Sequence, residues 1–151
     1  MVSMKFNSRG FTLIELIVVL VIIGVVGSVV FVNVGRSVTR KRTRLFAKEM
    51  VSLCRKARRL AVSQGIISTF YISSGDRKCW VDAQEPIDIP PELKVEGKGV
   101  QELEQGIFGI RFFPDGSSSG GRLFLSRGDD VLYEFHVDLL TGLILSQENR
   151  K

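Results

Sequence analysis

Residues 11–35 read FTLIELIVVLVIIGVVGSVVFVNVG, and their only clearly polar members are Thr12, Glu15, Ser28 and Asn33. Strands usually extend over ~5–6 residues, so the length of this run overrules the strand preference of its β-branched residues and predicts a helix. At a rise of ~1.5 Å per residue, the stretch from Phe11 to Val32 reaches roughly 33 Å, which matches a bilayer's hydrocarbon core of ~30 Å. No soluble domain of a 151-residue chain needs such a helix. The segment 11–35 is therefore expected to cross a membrane.

Charge divides the rest of the chain. Between Arg36 and Arg59 stand ten bases and the single acid Glu49, whereas from Leu60 onward nine bases face fourteen acids. The net charge of +5 thus belongs to the neck that follows the apolar run. A basic helix face just past a membrane suits lipid headgroups or the acidic surfaces of neighbouring subunits better than it suits nucleic acid.

The first ten residues, MVSMKFNSRG, carry Lys5 and Arg9, and the small residue Gly10 precedes the apolar run. An ordinary secretory signal has the reverse order, with its cleavage site after the apolar core. The junction RGFTLIEL, Arg9 to Leu16, resembles the site read by prepilin peptidase in type IV pilin-like proteins. That resemblance implies a leader at 1–10, cleavage after Gly10, and N-methylation of the new N-terminal residue Phe11. Family members often carry a proline in the membrane segment; this chain has none before Pro86, and Gly24 and Gly27 are its weak points.

Glu15 is an ionisable side chain inside an apolar helix, a placement that costs up to ~2.5–3.5 kcal/mol and so marks a functional candidate. The resemblance implies that it pairs with the α-amine of Phe11 on a neighbouring subunit, and a charge pair in an apolar medium selects strongly for register. The positive-inside rule alone keeps the part after Val34 in the cytoplasm, because that flank is the more basic. The family arrangement is the opposite: single-pass in the bacterial inner membrane, leader cytoplasmic, globular part periplasmic. It is adopted because the processing motif is the more specific signal.

From Ser37 to Gln64 the residues Phe46, Met50, Leu53, Ala57, Leu60 and Ala61 recur at helical spacing, with Leu45 and Cys54 beside them, so a helix continues to about Ser63 and packs one face. Gln64-Gly65 supplies the stop. Beyond it, short β-like runs alternate with turn residues: 66–73, 78–83, 93–96, 107–113, 122–126, 131–138 and 143–146. The segment 85–105, with Pro86, Pro90 and Pro91, is the least regular.

The stretch FFPDGSSSGGRLFL, Phe112 to Leu125, and the ending VDLLTGLI, Val137 to Ile144, resemble two hairpins of the GspH/FimT group of minor pseudopilins and minor pilins. With the N-terminal junction, the resemblance covers most of the chain. It implies an α+β, pilin-like fold: a leader (1–10), the transmembrane half of a long helix (11–35), its amphipathic basic half (36–64), and a β-rich globular domain (65–151) built as an antiparallel sheet or sandwich. The function implied is that of a non-catalytic minor pseudopilin of a type II secretion system, assembling into or capping the pseudopilus. Its partners would be other pseudopilins or pilins through the N-terminal helix, prepilin peptidase, and the inner-membrane assembly platform. The alternative is a minor pilin of a type IV pilus with a DNA-uptake role.

Enzyme chemistry has little to draw on. His136 is the single histidine and lacks the partners of a triad or zinc site. Ser117 to Ser119 sit among glycines as turn residues, and Asp129-Asp130 is too short for a calcium loop. No cofactor and no metal are expected. Cys54 and Cys79 would lie on the oxidising side of the membrane if the implied topology holds. Either a bridge between them or two separate buried thiols fits, since spacing does not fix the Cα separation.

Overall fold

A computed structural model describes residues 12–149, and the side chains of residues 27–38 stand outside the description. The leader 1–10 and Phe11 therefore lie outside the described residues. Helix α1 runs from Leu13 to Gln64, within two residues of the span expected. Thr12 opens it: its hydroxyl and its carbonyl both accept from the Glu15 amide, at 3.4 and 3.1 Å, which satisfies donors that a helix start leaves without intrahelical partners. The Gly65 amide closes the other end on the Ala61 carbonyl at 3.0 Å.

The chain forms two compact units, 1–41 and 42–151, with the boundary inside α1. In the first unit, every described side chain from Thr12 to Val26 is exposed. Among the described residues no helix is long and apolar enough to cross a membrane; the run assigned to a membrane from sequence, 11–35, extends beyond the side chains described.

In the second unit α1 buries Thr43, Phe46, Ala47, Met50, Cys54, Ala57 and Ala61, a stripe at helical spacing that faces inward because its residues are apolar or small. Leu53 and Leu60 pack partly buried against this core. Leu45 departs from expectation: it is 60% exposed, because on a helix of 3.6 residues per turn it points toward the face opposite the buried stripe.

Nine strands follow, in two antiparallel sheets. The first has the order β3-β2-β1-β6-β5, built from β1 (Ser68–Ser73), β2 (Lys78–Val81), β3 (Ile87–Asp88), β5 (Gln101–Glu104) and β6 (Ile107–Phe112). The second has the order β4-β7-β8-β9, from β4 (Lys94–Lys98), β7 (Gly121–Arg127), β8 (Asp130–Val137) and β9 (Ile144–Glu148). Seven strands coincide with runs expected from sequence; β3 and β5, not among those runs, lie in the segment 85–105, read as the least regular. One hydrophobic cluster draws on the helix and both sheets, including Met50, Phe70, Phe112, Leu125 and Phe135.

The stretch Phe112–Leu125 is not the simple hairpin its sequence resembles. Phe112 and Ser118 form a single antiparallel bridge, after which the chain leaves the first sheet and enters the second, since β6 and β7 belong to different sheets. Gly120 and Gly121, at φ +69° and +130°, make this departure in backbone conformations that side chains disfavour. The last hairpin is as expected, with β8 and β9 paired from Val137↔Ile144 to Tyr133↔Glu148.

In the irregular segment, the Arg77 guanidinium acts as an internal tie. Its Nη2 donates to the carbonyls of Pro90 at 2.7 Å and Leu93 at 2.9 Å. The loop's prolines forbid regular pairing, so a side chain supplies the hydrogen bonds that a ladder would otherwise provide.

Candidate functional site

Of the residues singled out from sequence, Gly10 and Phe11 lie outside the described residues. Glu15 stands in the first turn of α1 and is exposed, with no ion-pair partner among the described residues. Around it the helix turns a continuous apolar surface to solvent, from Leu13 at 78% exposed through Ile22 to Val26. Exposed apolar patches larger than a few hundred Å² mark surfaces that something else covers.

The second unit holds a groove of about 620 Å³ between the side of α1 and the β8-β9 edge of the second sheet. Arg44, Lys48, Arg55 and Arg59 line one wall, and Tyr133, Phe135, Ser146 and Glu148 the other. The four bases fall within an arc of about 60° on a helix of 3.6 residues per turn. Arg44 and Arg55 lie nearest the buried stripe, and Lys48 and Arg59 stand farther round toward the opposite face. Tyr133 and Phe135 stack with ring centroids 6.2 Å apart. The sequence marked this helix face as basic but gave no sign of the aromatic shelf beside it, because the two meet only through tertiary packing.

Arg58 carries a role that sequence reading missed. Its Nε donates to the Gly116 carbonyl at 3.3 Å and the Thr141 carbonyl at 2.9 Å, so one helix side chain holds both the 113–120 loop and the β8-β9 turn. The fit is close: a Cβ on Gly142, whose φ is +60°, would lie 2.5 Å from the Gly116 carbonyl oxygen and 3.1 Å from Arg58 Nε. Nothing in the pair Arg58-Arg59 distinguishes the anchoring base from the one that lines the groove.

Asp138 organises the same turn by accepting from the Thr141 amide and hydroxyl, each at 2.8 Å, and from the Leu140 amide at 3.2 Å. Those donors, Thr141 first, hold its carboxyl below the usual carboxylate range. Asp115 is lowered in the same way by the hydroxyl and amide of Ser117. Ser118 is buried and donates to the Asp138 carbonyl at 2.8 Å, and Ser119 Oγ accepts from the Arg111 amide at 3.0 Å. The three serines are thus turn-building groups.

His136 is exposed on β8. Cys54, on α1, and Cys79, on β2, are free thiols buried in the same core cluster. Burial pushes both thiols up, Cys79 to about 12, so they stay protonated and unreactive at neutral pH. Among the described residues no group of three or more His, Cys, Asp or Glu is placed to hold a metal ion.

Comparison with known proteins agrees with this architecture. The family described as the prokaryotic N-terminal methylation motif matches residues 5–31. Along most of its length the chain is similar to "Type II secretion system protein H" of Xanthomonas campestris pv. campestris, at 27% identity over 140 residues, 91% of this chain and 82% of that protein. Its fold is that of the type IV minor pilin FimU of Pseudomonas aeruginosa PAO1, with a TM-score of 0.55 at 14% identity over 74% of this chain and 91% of that one. A second crystal form of FimU gives a TM-score of 0.51 at 13% identity, over 67% and 89% of the two chains.

The chain thus carries an N-terminal methylation motif at residues 5–31 and, beyond it, a fold like that of a type IV minor pilin. In sequence it is similar to a type II secretion system protein H.

Proposed function

We propose that the protein is a minor pseudopilin of the H type, a structural subunit of a type II secretion pseudopilus. The observation that carries this reading is the similarity to a type II secretion system protein H across 91% of the chain. A likeness to FimU at 14% identity speaks for the fold alone, so it does not favour a pilus over a pseudopilus.

On this reading, prepilin peptidase removes residues 1–10 after Gly10, and Phe11 becomes the methylated N-terminus. The apolar half of α1 sits in the inner membrane, with the second unit in the periplasm. When the subunit leaves the bilayer for the filament, the apolar surface exchanges lipid for the helices of neighbouring subunits. Glu15 then meets the α-amine of a neighbour's Phe11. An unpaired carboxylate in an apolar bundle is costly, so the pair rewards one stagger of the helices above the others. The platform and the other pseudopilins are the partners this route requires, and no group of the protein is asked to perform catalysis.

The test is mass spectrometry of the protein purified from membranes of its own host. A mature chain that starts at methylated Phe11, and that co-purifies with the other pseudopilins, is the expected result. A chain retaining Met1, or starting elsewhere than Phe11, overturns the reading.

A further inference from the structure

The two sheets present four edges, and three are blunted. β3 is two residues long, β5 carries a register shift between Glu102 and Glu104, and β4 bears Lys94 and Lys98 at its ends. Short length, bulges and lysines are devices that keep an edge from pairing with another chain. The fourth edge, β9, has none of them: Ile144–Glu148 pairs with β8 in unbroken register and holds neither proline nor lysine.

Hydrogen bonds at the two ends of this hairpin fix which groups point outward. Asp138 N–H donates to the Leu143 carbonyl and Asn149 N–H to the Leu132 carbonyl, both at 2.9 Å. Bonded and non-bonded pairs alternate in an antiparallel ladder, so Leu145 and Gln147 are the β9 residues that bond to β8. Ile144 and Ser146 turn their amides and carbonyls away from the sheet, where they meet no partner among the described residues.

Ser146 also lines the groove under Arg44, Lys48, Arg55 and Arg59. These four side chains are exposed and form no ion pair among the described residues. Against them the groove wall offers one acid, Glu148. A strand laid along β9 would place alternate side chains on the groove side, beneath four positive charges and beside the Tyr133-Phe135 shelf.

We propose that β9 and this groove receive an extended acidic segment of a partner subunit, which adds as a fifth strand to the second sheet. Main-chain bonds to Ile144 and Ser146 provide the attachment, and the cation stripe selects for acidic side chains at every second position. The identity of the segment's owner as a filament subunit rests on the pseudopilin reading; the edge and its charge preference do not.

The full-length protein in detergent micelles is titrated against two fluorescent decapeptides, one alternating Glu and Val, the other alternating Lys and Val. Fluorescence anisotropy is expected to show the acidic peptide binding at least about tenfold more tightly. Ser146→Pro removes an outward amide without touching the ladder, and should weaken that binding about tenfold. The exposed double replacement Arg55→Glu with Arg59→Glu should abolish the preference between the peptides while leaving the fold intact.

Equal affinity for both peptides overturns the proposal, as does unchanged binding by Ser146→Pro. So does tighter binding of a single-stranded oligonucleotide than of the acidic peptide, which would give the stripe to nucleic acid. Self-association abolished by Ser146→Pro would make the occupant a second copy of the chain, and overturns it too. None of these readouts involves a filament: a protein that binds the peptide as expected yet never enters a pseudopilus overturns the pseudopilin reading alone.

Discussion

From Thr12 to Val26 every described side chain of the N-terminal segment is exposed, whereas from Thr43 to Ala61 the same helix buries a residue at every third or fourth position. The first stretch is the more apolar of the two, yet the second is the one its own chain covers. Burial here follows the availability of a facing sheet, not hydrophobicity. An apolar surface left exposed among the described residues points to a partner, while the basic half gains its place from the stripe of small and apolar residues that fits the sheets.

The comparison can be broken most forcefully in the second unit. Phe112 is fully buried, and Phe112→Ala should destabilise the unit by about 3–5 kcal/mol through lost burial and a residual cavity. Urea unfolding followed by Trp80 fluorescence checks this. Replacing the apolar but exposed Leu20 by Ala should leave the same transition unmoved. If both substitutions shifted it alike, the distinction between the two halves would fail.

Gly142→Ala should cost about 1–3 kcal/mol, because the residue would hold a strained φ and push against the Gly116 carbonyl and Arg58. The loss should appear in the same urea titration. It sharpens the comparison by showing how tightly the helix is held to the turns beyond residue 42.

Glu15→Gln acts on the other half. It should leave the unfolding transition and the cleavage unchanged while lowering incorporation into filaments about tenfold, or about 1.4 kcal/mol. Quantitative immunoblotting of sheared filaments against membranes measures it. Incorporation equal to the parent's would remove Glu15 from assembly.

The smallest effect is expected at Asp138. Its folded-state pKa is depressed, chiefly by the Thr141 donors, so its contribution to stability is complete above the unfolded carboxylate's pKa of ~3.9 and is lost as pH falls through the lower folded value. The difference in Tm between the parent and Asp138→Asn should therefore be full at pH 7 and shrink below about pH 4. A difference that grew on acidification would contradict the turn's hydrogen bonding.

The strands that alternate or run apolar between turn residues were legible because each carries its own period. β3 was not, being two residues whose strand character comes from pairing Lys78↔Asp88 and Cys79↔Ile87. The QELE of β5 is polar and largely exposed, so no pattern announces it, and its pairing with β6 decides it. Likewise FFPDGSSSGGRLFL reads as a hairpin from its resemblance to the GspH/FimT group, although the strands on either side part into different sheets. Local chemistry specifies that the chain turns; it cannot specify which sheet receives it.

At the candidate sites the division is the same. The RGFTLIEL string, Arg9 to Leu16, was legible as part of the methylation motif matched at residues 5–31, because such a motif lies in the order of neighbouring residues. The anchoring of two loops by Arg58, the outward amides of β9, and the meeting of four cations with an aromatic shelf depend on residues tens of positions apart. Helical and strand periods determine which face each side chain takes. Only packing the helix against the sheets determines which faces meet, because burial of apolar area is non-directional and many pairings satisfy the same pattern.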